Sequence, residues 1–400
     1  MKYALIHATL WTVTHGVIED GVVLVEDGKI AALGSAEDIV VPAGMPTLDA
    51  CGQIVTPGLV DAESHVGLYE EGIGWAGDDL NETTDPNTAH VRPLDGIYPT
   101  DIGFDDCRQG GVTTIQVAPG HTNVLAGEMH VLKTRISPIV DAMVVKALSG
   151  IKASLGEDPK AAYVNLRKMP TTRMGTASVL RTALYDAQSY LEKKQKATSP
   201  ETMPPMDMRK ESLAQVLSGA VPLHIRAVRA DDIATALRIA KEFGIAITLD
   251  NCSDGHIVAA AIAEAGVPVC LGPTLAAKSK VEFKELGYHT AVALADAGVP
   301  LAIVTAHPEM PAQYLNLSVA LAIRDGLDEQ IALEAVTITP AKMMGLEASI
   351  GSLEVGKDAD LVVWNGEPFE LLTEAVLTII DGHIVWQHKN WQGGELTCSH

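Results

Sequence analysis

The chain has 400 residues, of which 47% are apolar, 20% charged and only 4% aromatic. That is the profile of a soluble globular protein with a mostly aliphatic core, long enough for two or three domains or for one large barrel with an appendage. Asp and Glu outnumber Lys and Arg by 51 to 29, and the resulting net charge of −22 repels phosphate backbones and excludes nucleic acid as the expected partner.

The opening residues, MKYALIHATLWTV, alternate like a strand and lack the apolar stretch and small-residue cleavage site of a signal peptide. Gly21 to Leu33 (GVVLVEDGKIAAL) forms two β-rich runs around Asp27-Gly28. Ala375 to Trp386 (AVLTIIDGHIVW) repeats the arrangement around Asp381-Gly382. Asp-Gly between apolar runs predicts a hairpin. A lone hairpin is marginal in water. Residues 1–55 and 349–400 are therefore expected to pack together as one composite β-sandwich domain. No run of 18 apolar residues exists, so no membrane span is expected. The five cysteines (51, 107, 252, 270 and 398) form no CxxC pair and are expected to be reduced thiols of a cytoplasmic protein.

Residues 56–348 repeat a different unit, a helix that ends in Gly and is followed at once by an apolar strand. It recurs in FDDCRQGGVTTIQVAPG, IAKEFGIAITLD, AIAEAGVPVCLGP and ALADAGVPLAIVTAHP. Gly supplies the residue after the helix and Pro blocks its continuation. The helix before Gly244 places Ile233, Ala236, Leu237 and Ala240 on one face, with Asp231 as its expected N-cap. Near-continuous apolar strands are those of a parallel sheet buried on both faces. Such units predict a closed (β/α)₈ barrel, or else an open doubly wound sheet, which the lack of a GxGxxG after a first strand disfavours. Two stretches break the rhythm. Residues 67–103, rich in Gly, Asp, Asn and Pro, follow the first barrel strand and are expected over the mouth, where barrel sites form. Residues 194–208 are expected to be a mobile insertion between helices.

From Thr56 the chain reads TPGLVDAESHVGL, which resembles the first barrel strand of the amidohydrolase superfamily, with its motif PG-x-x-D-x-H-x-H. GSLEVGKDADLVVW (351–364) is similar to that superfamily's return into its β-domain. The imidazolonepropionase-like branch is resembled in GDD-x-NE-x-TDP (77–86), RMG (173–175), RADDI (229–233) and Thr-x-His-Pro (305–308). The resemblance covers nearly the whole chain. It implies a TIM barrel with a composite β-domain, and by ancestry a hydrolase of C–N bonds, other than peptide bonds, in small cyclic amides. It also implies one or two divalent metals at the barrel mouth. Strand one gives two His, strand four a Lys that is often carboxylated, strands five and six one His each, and strand eight an Asp base. Neutral imidazole and carboxylate hold a borderline cation, which lowers the pKa of its bound water to about 7.

Most of those positions differ here. Glu63 replaces the first His and His65 keeps the second. Lys152 fits strand four. The strand-five imidazole positions fall on Arg226 and Val228, with His224 one layer deeper. Asn251 stands at strand six and Ala306 at the place of the base. A guanidinium has no lone pair to offer and repels a metal. Glu63 is therefore expected beside both Lys152 and Arg226, so that fixed charge replaces the metal and the pocket is locally cationic. No cofactor is expected, the alternative being one zinc on Glu63, His65 and His224. The expected occupant is a small, anionic molecule. His121 and His90 are expected near it, and the acidic run from Glu70 to Asp85 is expected to be a solvated loop. Two functions stay open. One is a hydrolase with a changed site, in which His307 takes the role of the lost base and His256, facing the pocket, is a second catalytic candidate. The other is a non-catalytic protein that binds a small anionic ligand or a protein partner. Assembly with copies of itself is open; nucleic acid and membrane are not expected partners.

Overall fold

The computed structural model describes residues 1–394 and the backbone of Thr397 and Cys398. Five strands come first: β1 (Lys2–Trp11), β2 (Val17–Glu26), β3 (Lys29–Ser35), β4 (Pro46–Asp49) and β5 (Ile54–Pro57). Eight more follow: β6 (Leu59–Ser64), β7 (Val112–Val117), β8 (Leu125–Lys133), β9 (Val144–Ser154), β10 (Leu223–Ala227), β11 (Ile247–Asn251), β12 (Val269–Leu271) and β13 (Leu301–Ile303). The chain returns through β14 (Leu361–Trp364), β15 (Ala375–Ile380) and β16 (His383–Gln387). Both chain ends build one sheet, in the order β16-β15-β14-β5-β1-β2-β3, with β4 beside β1. Its core includes Tyr3, Leu5, Val23, Leu48, Leu361 and Leu377. Burying each such side chain contributes about 1.5–3 kcal/mol. Both Asp-Gly pairs form the hairpin turns their sequence predicts. Asp27 and Gly28 have φ +48° and +82°, and Asp381 and Gly382 have +50° and +72°. That is the pair of left-handed residues a two-residue hairpin turn requires.

The second sheet runs β6 to β13 in order. It closes where Ala306 N–H donates to Glu63 O and His65 N–H to His307 O, both at 3.0 Å. The barrel is an eight-stranded α/β barrel, but not every strand is parallel. β8 pairs antiparallel with both β7 and β9. The reason is length: the links before and after β8 are shorter than the dozen or more residues that a crossover between parallel strands needs.

Around the barrel stand α1 (Ile102–Gln109), α2 (Glu157–Val164), α3 (Arg173–Lys196), α4 (Met208–Leu217), α5 (Ala230–Phe243), α6 (Ala259–Ala265), α7 (His289–Asp296) and α8 (Leu315–Arg324). α5 and α6 end on Gly244 and Gly266, at φ +63° and +62°. α5 begins two residues earlier than its sequence suggests. Arg229 holds the capping position, and Asp231 lies in the first turn, where its charge still complements the helix dipole. Residues 194–196 finish α3, and the link to α4 carries a short turn at Pro200–Thr202. Among the described residues, no helix is long and apolar enough to cross a membrane. Four cysteines are free; the side chain of the fifth, Cys398, lies outside the described residues.

Candidate active site at the barrel mouth

Strand alternation sets the site. On β9 and β10, Ile151, Ala153, Leu223 and Ile225 join the core beneath the helices. Lys152, Ser154, His224 and Arg226 take the opposite, inner face, in register across the two strands. On β11, Ile247 and Leu249 pack outward, so Asp250 points inward.

The deep layer is a network of four buried side chains. The Lys152 ammonium hydrogen-bonds Glu63 Oε1 and, at 2.6 Å, Asp250 Oδ2. The other oxygen of Asp250 lies 3.2 Å from His224 Nδ1. Burial disfavours the charge on Lys152, but Asp250 and Glu63 outweigh it and hold the ammonium above its usual range. Burial also works against ionised Asp250, yet Lys152 and His224 bring it below the usual carboxylate range. Glu63 goes the other way: burial raises it, Asp250 adds to the rise, and Lys152 only partly opposes. One ammonium thus serves two unequal carboxylates.

Above this layer, Arg226 Nη1 hydrogen-bonds Asp158 Oδ2 at the start of α2, and Lys280 hydrogen-bonds Asp158 Oδ1. Both cations lie over the Phe283 ring, at 5.8 and 5.5 Å. His121 Nε2 is 3.7 Å from both Asp158 Oδ2 and Glu309 Oε1. Burial, with Arg226 nearby, depresses its pKa well below the imidazole range.

The two mouth histidines are neutral and of opposite tautomer. His65 Nδ1 bonds the Ala118 carbonyl at 2.7 Å, so it carries the proton and Nε2 presents a lone pair. His307 Nδ1 accepts the Ala312 N–H at 3.3 Å, so its Nε2 carries the proton, 3.8 Å from Glu71 Oε1. Burial pushes each down to about 4. Five buried polar atoms at this mouth have no hydrogen-bond partner within the protein: Glu63 Oε2, His65 Nε2, Ser154 Oγ, Arg226 Nη2 and His307 Nε2. Leaving such an atom unmatched costs about 1–3 kcal/mol, so their gathering at the C-terminal ends of the barrel strands marks a place for polar contacts.

Several sequence expectations are corrected. Glu63 bonds Lys152, and Arg226, near enough to act on its charge, pairs with Asp158. The pocket is not cationic: Lys152, Arg226 and Lys280 face Glu63, Asp250 and Asp158. Asn251 is spent on structure. At φ +67° it donates to Gly272 O at 3.2 Å and accepts from Ser253 at 2.8 Å. His256 stands outside the site, with Nδ1 3.0 Å from Thr290 and its ring edge-on to His289 at 4.5 Å. His307 lies at the mouth, but its Nδ1 is occupied and its Nε2 is protonated, so it is a donor and not a base. His90 is half-buried in the loop after β6. Glu70 to Asp85 are largely exposed, as a solvated loop should be.

Sequence reasoning missed Asp250, Asp158, Lys280 and Asp61. Asp61 is fully buried. It accepts from the Thr305 hydroxyl, from Thr305 N–H at 3.3 Å and from Glu63 N–H at 3.4 Å. Burial, only partly offset by these donors, raises it from 3.8 to about 7. An acid with a raised folded pKa stabilises the fold when protonated, and that contribution is lost as pH rises from about 4 to 7. Asp61→Asn keeps an oxygen for the two backbone donors, and the Thr305 hydroxyl can turn to accept from the amide. Relative to wild type, the variant should gain about 1–3 kcal/mol between pH 5 and pH 8. Urea unfolding at both pH values measures this, and an unchanged difference would mean that Asp61 is already ionised at pH 5.

The amidohydrolase family model matches residues 232–385. Amidohydrolase tasK of Hapsidospora irregularis is 27% identical over 93% of this chain, which spans 40% of that protein's length. Imidazolonepropionase of Sphingopyxis alaskensis is 26% identical, over 89% of both chains. The solved structure of an amidohydrolase from Thermotoga maritima MSB8 superposes with a TM-score of 0.93 at 38% identity, over 97% of this chain and 100% of that one. With the barrel, the composite sheet and the inward residues of β6, β9, β10 and β11 in place, this likeness identifies the chain as a member of the amidohydrolase family.

Proposed function

We propose that the mouth of this barrel binds a small, planar, amide-like ligand, and that a fixed ion-pair network replaces the metals of the resembled two-metal enzymes. The observation that carries this is the Lys152 ammonium, 0% exposed and bonded to Glu63 and Asp250 at once. On this reading the donor set does not fit a two-metal centre. A bridging carbamate forms from an uncharged amine, whereas two carboxylates hold Lys152 protonated. Arg226 offers no lone pair. Both ends of the Asn251 amide are engaged. His224, Asp250 and Cys270 do bring three ligand atoms within 4.8 Å of one another. Asp250 is engaged with Lys152, however, and burial lifts the Cys270 thiol well above its usual range, so no thiolate is at hand. Glu63, His65 and His224 form no such group.

The unpartnered atoms suit a ligand of mixed polarity. Arg226 Nη2 and His307 Nε2 donate; His65 Nε2 and Glu63 Oε2 accept. A small cyclic amide or imide carries the complementary groups, and kinship to proteins named imidazolonepropionase points the same way. A cytoplasmic location belongs to the same proposal, supported by the free thiols. Elemental analysis after mild dialysis should find well under one equivalent of zinc, iron or manganese per chain. Two equivalents would overturn the proposal and restore an ordinary metal-dependent hydrolase.

One observation favours a second reading, metal-free hydrolysis. The Glu63 carboxyl is raised toward neutrality and its Oε2 is free, which is how a general base is poised. Glu63→Gln separates the two. It should weaken binding of a cyclic imide, followed by calorimetry, by the loss of one acceptor without abolishing it. Hydrolysis of that imide lost in the variant would establish the second reading.

A further inference from the structure

We infer that Arg226 and Lys280 form a subsite for the carboxylate of a small ligand, and that Asp158 competes with that carboxylate for it. The inference rests on the proposed ligand-binding role of the mouth and names the part of the ligand bound there.

Two cations converge on a single carboxylate, and both are packed over the Phe283 ring. Asp158 satisfies only half of the Arg226 fork. Nη1 is bonded, while Nη2 is buried, charged and without a partner. Beside it, in register on the next strand, the Ser154 hydroxyl is also buried and unpartnered. A guanidinium matches a planar carboxylate through two parallel hydrogen bonds. Asp158 is tethered to the start of α2 and makes only one. A free carboxylate engaging both nitrogens would also place an acceptor near Ser154. It could not share the guanidinium with Asp158, since two carboxylates at that distance repel. Binding and the Asp158–Arg226 pair are therefore mutually exclusive.

The apparent affinity for a carboxylate is reduced by the fraction of protein in which Asp158 has let go. Removing its charge should remove that reduction. Calorimetric titration at constant ionic strength would compare acetate with inorganic phosphate in wild type, Asp158→Asn, and Asp158→Asn with Arg226→Gln. Acetate should bind the Asp158→Asn protein at least about tenfold more tightly than wild type, and the double variant should lose the gain. The planar fork should prefer acetate to phosphate. Equal acetate affinity in wild type and Asp158→Asn would sink the inference, as would a gain that survives loss of Arg226. Should the variants fold poorly, amide hydrogen exchange on wild type decides: saturating acetate should speed exchange across residues 157–164, and no change would overturn the proposal. Metal analysis of the same preparation keeps two failures apart. Bound metal removes the ligand-binding reading itself, whereas metal-free protein without the acetate gain removes only the subsite.

Discussion

Replacing Lys133 by methionine is expected to lower the unfolding free energy by about 3–5 kcal/mol, the usual consequence of stripping one partner from a buried ion pair. Lys133 ends β8 and is 1% exposed. Its ammonium reaches Asp358 at 2.7 Å, Asp360 at 3.1 Å, and Asp381 in the β15–β16 turn. Asp358 and Asp360 immediately precede β14. One barrel residue thus gathers three carboxylates of the terminal sheet. The two hairpin turns meet at the same point, where Ala359 N–H donates to Gly28 O and Gly382 N–H to Ala359 O. Methionine keeps most of the stem and removes the charge, leaving Asp360 without a cation beside Asp358 and Asp381, which retain Lys29 and Arg135. Burial already raises Asp360 to about 6 in the presence of Lys133. The variant should therefore recover stability on acidification from pH 7 to 5, as Asp360 takes up a proton that the unfolded chain binds only at lower pH. Denaturant midpoints measure both effects. A loss under 1 kcal/mol would mean that the sheet and barrel are joined by packing alone.

The sequence reveals what is local and hides what depends on distant pairing. The hairpin turns could be read directly because Asp-Gly between apolar runs is a short-range signal. The glycine ends of α5 and α6 could be read for the same reason. The antiparallel β8 was hidden inside a repeat that suggested only parallel strands, although the shortness of its two links was there to be counted. At the site, Glu63, His65, Lys152 and Arg226 were found from a motif, but motif reasoning assigns positions and not partners. Arg226 pairs with Asp158, 68 residues away, and Lys152 with Asp250, 98 residues away. Asp158 carries no local mark, being one acid at the head of a short helix. Asp250 did carry one, since an aspartate inside the apolar run IAITLD is costly to bury alone and calls for a cation. The motif points instead to Asn251, the next residue, whose side chain is taken up by backbone and hydroxyl contacts. The His256 expectation failed because sequence nearness to β11 does not fix which side of the short turn at 255–257 a ring will take.

Lys152→Met should cost at least about 3 kcal/mol at pH 8, with a pH dependence that identifies the network. The substitution leaves Glu63 and Asp250 buried and without their shared counter-ion. Glu63 is already raised by burial and by the Asp250 charge, with Lys152 opposing. Removing Lys152 takes away that opposition and raises it further. For a carboxyl raised in the folded state, stability is present when the group is protonated and is lost as pH climbs through its folded pKa. The Lys152→Met protein should therefore be clearly more stable at pH 5 than at pH 8 relative to wild type. Neutralising both acids, as Glu63→Gln with Asp250→Asn in the Lys152→Met background, should return most of the loss at pH 8. The layer would then hold hydrogen-bonding amides and a thioether instead of unpaired charge. A metal-bridging Lys152 gives the opposite pattern. Its loss would release metal, and removing Glu63 and Asp250 as well would deepen the defect. Urea unfolding of the single and triple variants at the two pH values tells these apart, and a triple variant less stable than Lys152→Met at pH 8 would sink the ion-pair account of this barrel.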